Sequence, residues 1–269
     1  MLKNEGERLT RVVMCSPRTE YFEVDNLKAH NIKEVADREK AIGQHLALRS
    51  LLRSFGCEVI DIEELPGHPN SVFTRDMAVS TPKGYIKMSM GIMTRRGEEE
   101  WMAQVLDSIG EPCAGKISLP GTVEGGDVIV CGSVAFIGRT QRTNGEGIEQ
   151  LLAIFEDMDY EVRILSLPSI YLHLDQTIGV LGPRRLIYCE GLFPQETLRG
   201  FETLMLPGEE FNVNFICLGE NEIIAPASNT AVTRIARDNG IKVHALDLWE
   251  FAKGRGGPNC LIMPVERKP

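Results

Sequence analysis

The chain lacks an excess of positive charge: among 269 residues, 38 Asp and Glu stand against 29 Lys and Arg, a formal net charge of -9. Proteins that grip nucleic acids draw much of their affinity from basic faces that neutralise phosphates, so that class of partner is not expected and a small cationic one fits better. The chain also lacks any apolar run approaching the roughly 20 residues a membrane span needs, and its opening MLKNEGERLT has no signal-peptide core. A cytoplasmic protein without membrane contact is the expectation. Clustered cysteine is missing too. The nearest pair among seven, Cys113 and Cys131, is 18 positions apart, with no C-x-x-C and no neighbouring His. Neither a metal site nor a disulfide framework is therefore expected, and most of these thiols read as small core residues.

What is present is a globular composition, 43% hydrophobic and 25% charged, and an internal repeat. Two short apolar runs joined by a tight turn recur at Met77 to Met90, Asp127 to Gly138, Thr177 to Cys189 and Phe215 to Ala227. Their turns carry Pro and Gly, or Gly and Asn, as hairpins require. Each hairpin is followed by helix signals, at Glu98 to Ser108, Asn144 to Met158, Pro194 to Leu204 and Asn229 to Asp238, with Asn144 and Asn229 placed to cap. An N-terminal helix is expected over Lys33 to Phe55. Three short strands of similar form, Cys57 to Pro66, Tyr160 to Pro168 and Ile241 to Glu250, follow helices.

The unit is thus strand, strand, helix, strand. A fifth copy forms only if Leu261 to Pro264 pairs with Arg11 to Cys15, which would close the units into a ring with few exposed sheet edges. This α/β reading predicts a five-bladed propeller of ββαβ units around a central cavity. A doubly wound α/β sheet, in which helices and strands also alternate, is the competing architecture.

One polar residue opens each first strand: Asp76, Asp127, Asp175, Asn214 and Asn259, separated by 51, 48, 39 and 45 positions. Asp and Asn often cap turns and strand ends, but equivalent positions in a closed ring converge on its axis. Cys260 follows the last of them in GRGGPNCLIMP, and His173 lies two residues from Asp175 in YLHLDQT, on the same side of an extended chain. Taken singly, each reads equally well as a core residue. Together a Cys, a His and several carboxylates suit nucleophilic attack on an electrophilic carbon. The surplus of carboxylates, Asp76, Glu124, Asp127 and Asp175, would repel an anionic intermediate and select a cation. A planar guanidinium, whose forked N–H groups pair bidentately with carboxylates, meets that requirement.

The strings NSVFTRD (Asn70 to Asp76), TRRGE (Thr94 to Glu98), EGGDV (Glu124 to Val128), RTN (Arg142 to Asn144), HLD (His173 to Asp175) and GGPNC (Gly256 to Cys260) resemble the guanidine-modifying, or pentein, superfamily. Arginine deiminase, dimethylarginine dimethylaminohydrolase, arginine dihydrolase and the amidinotransferases belong to it. The resemblance implies the five-bladed fold as one catalytic domain over residues 1–269. It implies Cys260 as nucleophile, His173 as general acid and base, Glu124 as support for the His, and Asp76 and Asp175 as the guanidinium grip. It also implies Arg95 and Arg142 as ligands of the substrate's α-carboxylate, Asn70 and Phe73 beside its backbone, and Asp127 as a structural residue. No cofactor is implied, and a homodimer is a common arrangement.

Within the superfamily, FTRD, EGGD and HLD look more like arginine deiminase, as does Asn70 where the dimethylarginine enzymes commonly carry Asp. The size is closer to the dimethylarginine enzymes and the dihydrolase module. Arginine or a close derivative is the first expectation and methylated arginine the second, with double cleavage to ornithine also open. A non-enzymatic arginine sensor would need the carboxylates but not the thiol. Loops over 17–31 and 254–258 are expected to close the cavity.

Overall fold

The computed structural model describes residues 2–208 and 212–269. In chain order come β1 (Arg8–Cys15), α1 (Arg38–Ser54) and β2 (Glu58–Ile62). Next are β3 (Ala78–Thr81), β4 (Gly84–Lys87), α2 (Glu98–Ser108) and β5 (Cys113–Lys116). The third unit holds β6 (Val128–Cys131), β7 (Val134–Arg139), α3 (Gly145–Glu156) and β8 (Glu161–Ser166). The fourth is β9 (Ile178–Gly182), β10 (Arg185–Cys189) and β11 (Glu202–Leu206). The fifth has β12 (Ile216–Gly219), β13 (Glu222–Pro226), α4 (Thr230–Asp238) and β14 (Lys242–Leu246), after which α5 (Trp249–Lys253) leads to β15 (Met263–Lys268).

These strands form five three-stranded sheets with one scheme: the first strand antiparallel to the second, the second parallel to the third. The sheet holding β1 completes the set only because β15 supplies its first strand, antiparallel to β1 with Val12 opposite Pro264 and Val13 opposite Met263, while β2 runs parallel. That is the closure the sequence predicts, and the architecture is an α/β propeller of five blades.

The apolar side chains collect in five clusters, each spanning two neighbouring blades. Val13, Met263 and Val265 meet Met77, Ala78 and Met102; Val79 and Ile86 meet Val128, Ile137 and the α3 face of Ile148, Leu151 and Phe155. Ile129 and Phe136 meet Ile178 and Leu186; Leu181 and Ile187 meet Ile223 and Ala225; and Ile216 and Ile224 meet Leu9, Val12 and Leu48. Each fully buried large aliphatic contributes about 1.5–3 kcal/mol of transfer free energy, so every blade is held through its two flanks.

Asn144 and Asn229 cap α3 and α4 as expected, accepting from Gly147 N and Val232 N. Three expectations need correction. Pro194 to Leu204 is no helix: only a 3-10 turn, Gln195–Leu198, forms before Gly200, at φ 88°, redirects the chain into β11. β14 ends at Leu246, so Trp249 and Glu250 belong to α5. The first helix starts at Arg38 because Asp37, in extended backbone, caps it by accepting from Lys40 N.

Four of the five polar junction residues lie in 3-10 turns that immediately precede blade-opening strands: Thr74–Asp76, Gly125–Asp127, Leu174–Gln176 and Asn259–Leu261. The turns pack side by side in the order 259–261, 74–76, 125–127, 174–176, so their side chains face a common axis.

Candidate active site

A small cavity at this convergence is lined by Asn70, Phe73, Asp76, Arg95, Arg142, His173 and Cys260. Leu172 adds an apolar wall, and His30, Asn31 and residues 254–256 cover it, so both loops expected to close the site do contribute. Three other sequence-predicted residues stand behind the wall. Glu124 is fully buried and bonded to His173. Asp127 accepts from Thr140 Oγ1 (2.7 Å), Thr143 Oγ1 (2.6 Å) and Leu174 N (2.9 Å), which pins the turn that carries the histidine. Asp175 borders an adjacent interior cavity rather than this one.

Asp175 is tied to the thiol through Asn214, whose Nδ2 donates to Asp175 Oδ2 at 2.8 Å and lies 3.6 Å from Cys260 Sγ. Asn259 Nδ2 donates to the same carboxylate oxygen (3.0 Å), and Asn259 N donates to Asn214 Oδ1 (3.0 Å). Three of the five recurrent Asp and Asn positions, Asp175, Asn214 and Asn259, therefore form one network that fixes the cysteine segment. Gly256 and Gly257 let that segment lie flat: a Cβ on them would fall 2.1 Å from Phe73 Cε1 and 2.3 Å from Asn214 Oδ1. Three buried side-chain oxygens have no hydrogen-bond partner among the described residues, Asp175 Oδ1, Asn70 Oδ1 and Glu98 Oε1. Such orphaned acceptors are costly unless a ligand or water meets them.

His173 Nε2 lies 2.7 Å from Glu124 Oε2, and its Nδ1 is 3.7 Å from Asp76 Oδ1. Burial alone would discharge the ring, but Asp76 and the Glu124 hydrogen bond outweigh it and raise its pKa to about 10, so it rests as imidazolium. The opposite holds for Glu124: despite burial, His173 and Arg142 hold it down at about 2. Cys260 is pushed well above the usual thiol range by burial and by the carboxylates of Asp175 and Asp76, so it rests as a thiol.

Arg95 and Arg142 do not form a free basic rim. Arg95, 4% exposed, donates from Nη1 to Asp76 (2.6 Å), from Nε to Glu98 (2.8 Å) and from Nη2 to Phe73 O (3.1 Å). Arg142 Nη1 lies 3.2 Å from Glu124 Oε1. Sequence reasoning gave Glu98 no role although it stands in the TRRGE string; it is fully buried, and burial raises its pKa to about 8 against the pull of Arg95. Its signal was the three-residue spacing from Arg95, which sets both on one side of the turn leading into α2.

Asp76, Glu124 and His173 bring ligand atoms within 4.8 Å of one another, a spacing that could hold a metal ion. The charge of both carboxylates is already met by Arg95, Arg142 and the imidazolium, so nothing in the donor set calls for a further cation.

Five repeated blades, a cysteine and a histidine beside an aspartate at their axis, and guanidinium-matched carboxylates define a guanidine-modifying hydrolase of the pentein class. A family model, N,N dimethylarginine dimethylhydrolase, eukaryotic, matches residues 18–246, and the chain belongs to that family, whose members hydrolyse C–N bonds of amidines. The N(G),N(G)-dimethylarginine dimethylaminohydrolase of Pseudomonas aeruginosa is 31% identical over 244 residues, covering 89% of this chain and 94% of that protein. Its solved structure as a cysteine-to-serine variant with citrulline superposes with a TM-score of 0.82 at 25% identity, covering 95% of this chain and 99% of that one. The arginine deiminase of Treponema denticola is 26% identical over 254 residues, covering 74% of this chain and 62% of that protein. No helix among the described residues is long and apolar enough to cross a membrane.

Proposed function

We propose that the chain, acting as one catalytic domain, hydrolyses the guanidinium of arginine or a close arginine derivative to citrulline through a covalent cysteine adduct. The observation that carries this reading is the placement of Cys260, His173 and Asp76 on one cavity, with the imidazolium held by Glu124. The substrate cation takes Asp76 as its partner, with Asp175 braced behind through Asn214 and Asn259. Its positive charge offsets the two carboxylates that keep Cys260 protonated, so the thiol gives its proton to solvent water when substrate binds and takes one back when product leaves.

Cys260 Sγ attacks the guanidinium carbon to give a tetrahedral adduct. His173 transfers its proton to the departing nitrogen, which leaves as ammonia; Nδ1 is the ring nitrogen that Glu124 leaves available. The C–S bond of the resulting thiouronium is then broken by water that the now neutral His173 deprotonates, releasing citrulline and restoring thiolate and imidazolium. Asn70 and Phe73 flank the amino-acid end, and Arg95 and Arg142 supply positive charge for its carboxylate. Asp127 keeps the histidine turn in place.

Arginine is favoured by the polar lining, in which Phe73 and Leu172 are the apolar side chains available to N-methyl groups. The second reading, dimethylarginine giving citrulline and dimethylamine, is favoured by the family match over residues 18–246. Incubation with arginine, methylated arginines and agmatine, with products identified by mass, separates them: citrulline with ammonia, citrulline with methylamines, or ornithine from double cleavage. Cys260→Ser is expected to lower turnover by at least ~10³-fold while leaving thermal unfolding unchanged; retained turnover would remove the nucleophile assignment. Tight arginine binding with no product would instead mark a sensor.

A further inference from the structure

Residues 2–7, ahead of β1, cross the ring on the face opposite the catalytic turns. Those turns lead into the first strand of each blade, and the segment is bonded at the strands' other ends. Leu2 N donates to Thr81 O (3.4 Å) at the end of β3, and Glu5 N to Val130 O (2.8 Å) near the end of β6. Asn4 Nδ2 donates to Pro183 O (2.9 Å) just past β9, where a Cβ on Gly6 would fall 2.1 Å from Gly182 C. Arg267, near the end of β15, ties in β12 by donating to Glu7 O (2.7 Å) and to Cys217 O (2.9 Å). A segment pinned at so many points has little room to shift.

It brings one carboxylate to the axis. Glu5, 7% exposed, accepts at Oε1 from Arg75 Nη2 (2.8 Å) and from Val130 N (3.2 Å). Arg75 is itself buried and directly precedes Asp76 in the 3-10 turn Thr74–Asp76, and Glu5 is its one ion-pair partner among the described residues. Its second hydrogen bond goes to Val128 O (2.8 Å), and its Nε has none. The charge of Arg75 also reaches Asp175 and Asp76, and Asp175 Oδ1 is a buried acceptor without a partner. Arg75 therefore stands between Glu5 on the outer side and two aspartates on the catalytic side. Without Glu5 it would be a buried cation whose remaining anionic neighbours are those aspartates, and a buried charge that loses its partner is strongly unfavourable.

We propose that Glu5 is a positioning residue for the reaction, acting from outside the cavity: by holding Arg75 from the far side of the ring it keeps that cation from neutralising Asp76 and Asp175. Asp76 then stays available to the substrate's guanidinium, and Asp175 to the Asn214 and Asn259 amides that brace the thiol. This rests on the functional reading above and adds to it a residue that touches neither substrate nor nucleophile.

The test uses the full chain and whichever arginine compound it turns over. Glu5→Gln keeps the size of the side chain and removes its charge. KM is expected to rise about tenfold or more, the range of a disturbed buried charge pair, with kcat at pH 7 falling by less. A merely structural Glu5 would lower the melting temperature and the fraction of active enzyme, and so apparent kcat, while KM stayed put; that outcome overturns the proposal. In the double variant Glu5→Gln with Arg75→Gln the uncompensated cation is gone as well, so KM should return to within about threefold of the parent value. A KM as high as that of the single variant would mean that the pair acts by packing, and also overturns it. Should Glu5→Gln fail to fold, Glu5→Asp keeps the charge but draws it back by one methylene, which the pinned segment cannot follow; KM should rise at least ~3-fold, and an unchanged KM overturns the proposal. If the parent chain turns over neither arginine nor any methylated arginine, the functional reading fails; if it does and KM is unmoved, only this inference fails.

Discussion

Cys260 titrates in the opposite sense to what a resting thiolate–imidazolium pair would need, because the carboxylates that keep His173 protonated also raise the thiol. Alkylation of Cys260 by iodoacetamide at pH 7, followed by peptide mass spectrometry, should be at least about tenfold slower than that of Cys113, the one exposed cysteine. Reaction of Cys260 first would contradict the electrostatics. For His173 the folded pKa lies above the ordinary 6.5, at about 10, so its protonated form stabilises the fold fully below pH 6.5 and loses that contribution as pH rises through 10. The melting difference between the parent chain and His173→Gln should shrink across that window, and kcat should fall as the acid loses its proton near its upper end. Gly126 packs so closely that a Cβ would sit 2.7 Å from His173 Nδ1 and 3.0 Å from Asp76 Oδ1. Gly126→Ala should therefore lower kcat by ~100-fold through misplacement of the imidazole, measured at saturating substrate. The chemistry-bearing residue types and their order were legible in the strings FTRD, EGGD, HLD and GGPNC. The pairing of Arg95 with Asp76 and Glu98 was not, because an ion pair across a turn depends on side-chain directions that a string of letters does not carry.

Among the elements, hairpins were read well because turn chemistry at Gly84, Gly132 and Gly182 marks them locally. β5 was invisible: CAGK has no apolar alternation, and it pairs with β4 only after α2 brings it back. β11 was hidden inside an expected helix, since ETLML satisfies either period over so few residues and only Gly200 separates the turn from the strand. The caps were local and therefore legible. Asn229→Ala should destabilise the chain by about 1 kcal/mol in chemical denaturation, because it removes the cap that accepts from Val232 N at the start of α4.

For the molecule as a whole, the ring is what brings four separate 3-10 turns to one point. No blade contains the site; Asp76, Glu124, His173 and Cys260 come from four consecutive units, and each is aimed by the packing of its neighbours. If closure rather than chain order matters, a circular permutant opened at 190–193, its old ends joined by a flexible linker, should fold and retain turnover, because every inter-blade cluster survives. Loss of cooperative unfolding in that permutant would show that the β1 and β15 junction does more than complete a sheet. The ring was legible because the strand, strand, helix, strand unit recurs and its fifth copy forms only if Leu261 to Pro264 pairs with Arg11 to Cys15.

The pairing of β1 with β15 also sets a schedule. A ribosome makes β1 before any other strand and its antiparallel partner after all the rest, so a chain made as far as β9 carries Asp76, Glu124 and His173 but not Cys260. Cys260 arrives just ahead of the strand that seals the circle, so on the proposed mechanism the growing polypeptide stays inert toward guanidinium compounds until that moment.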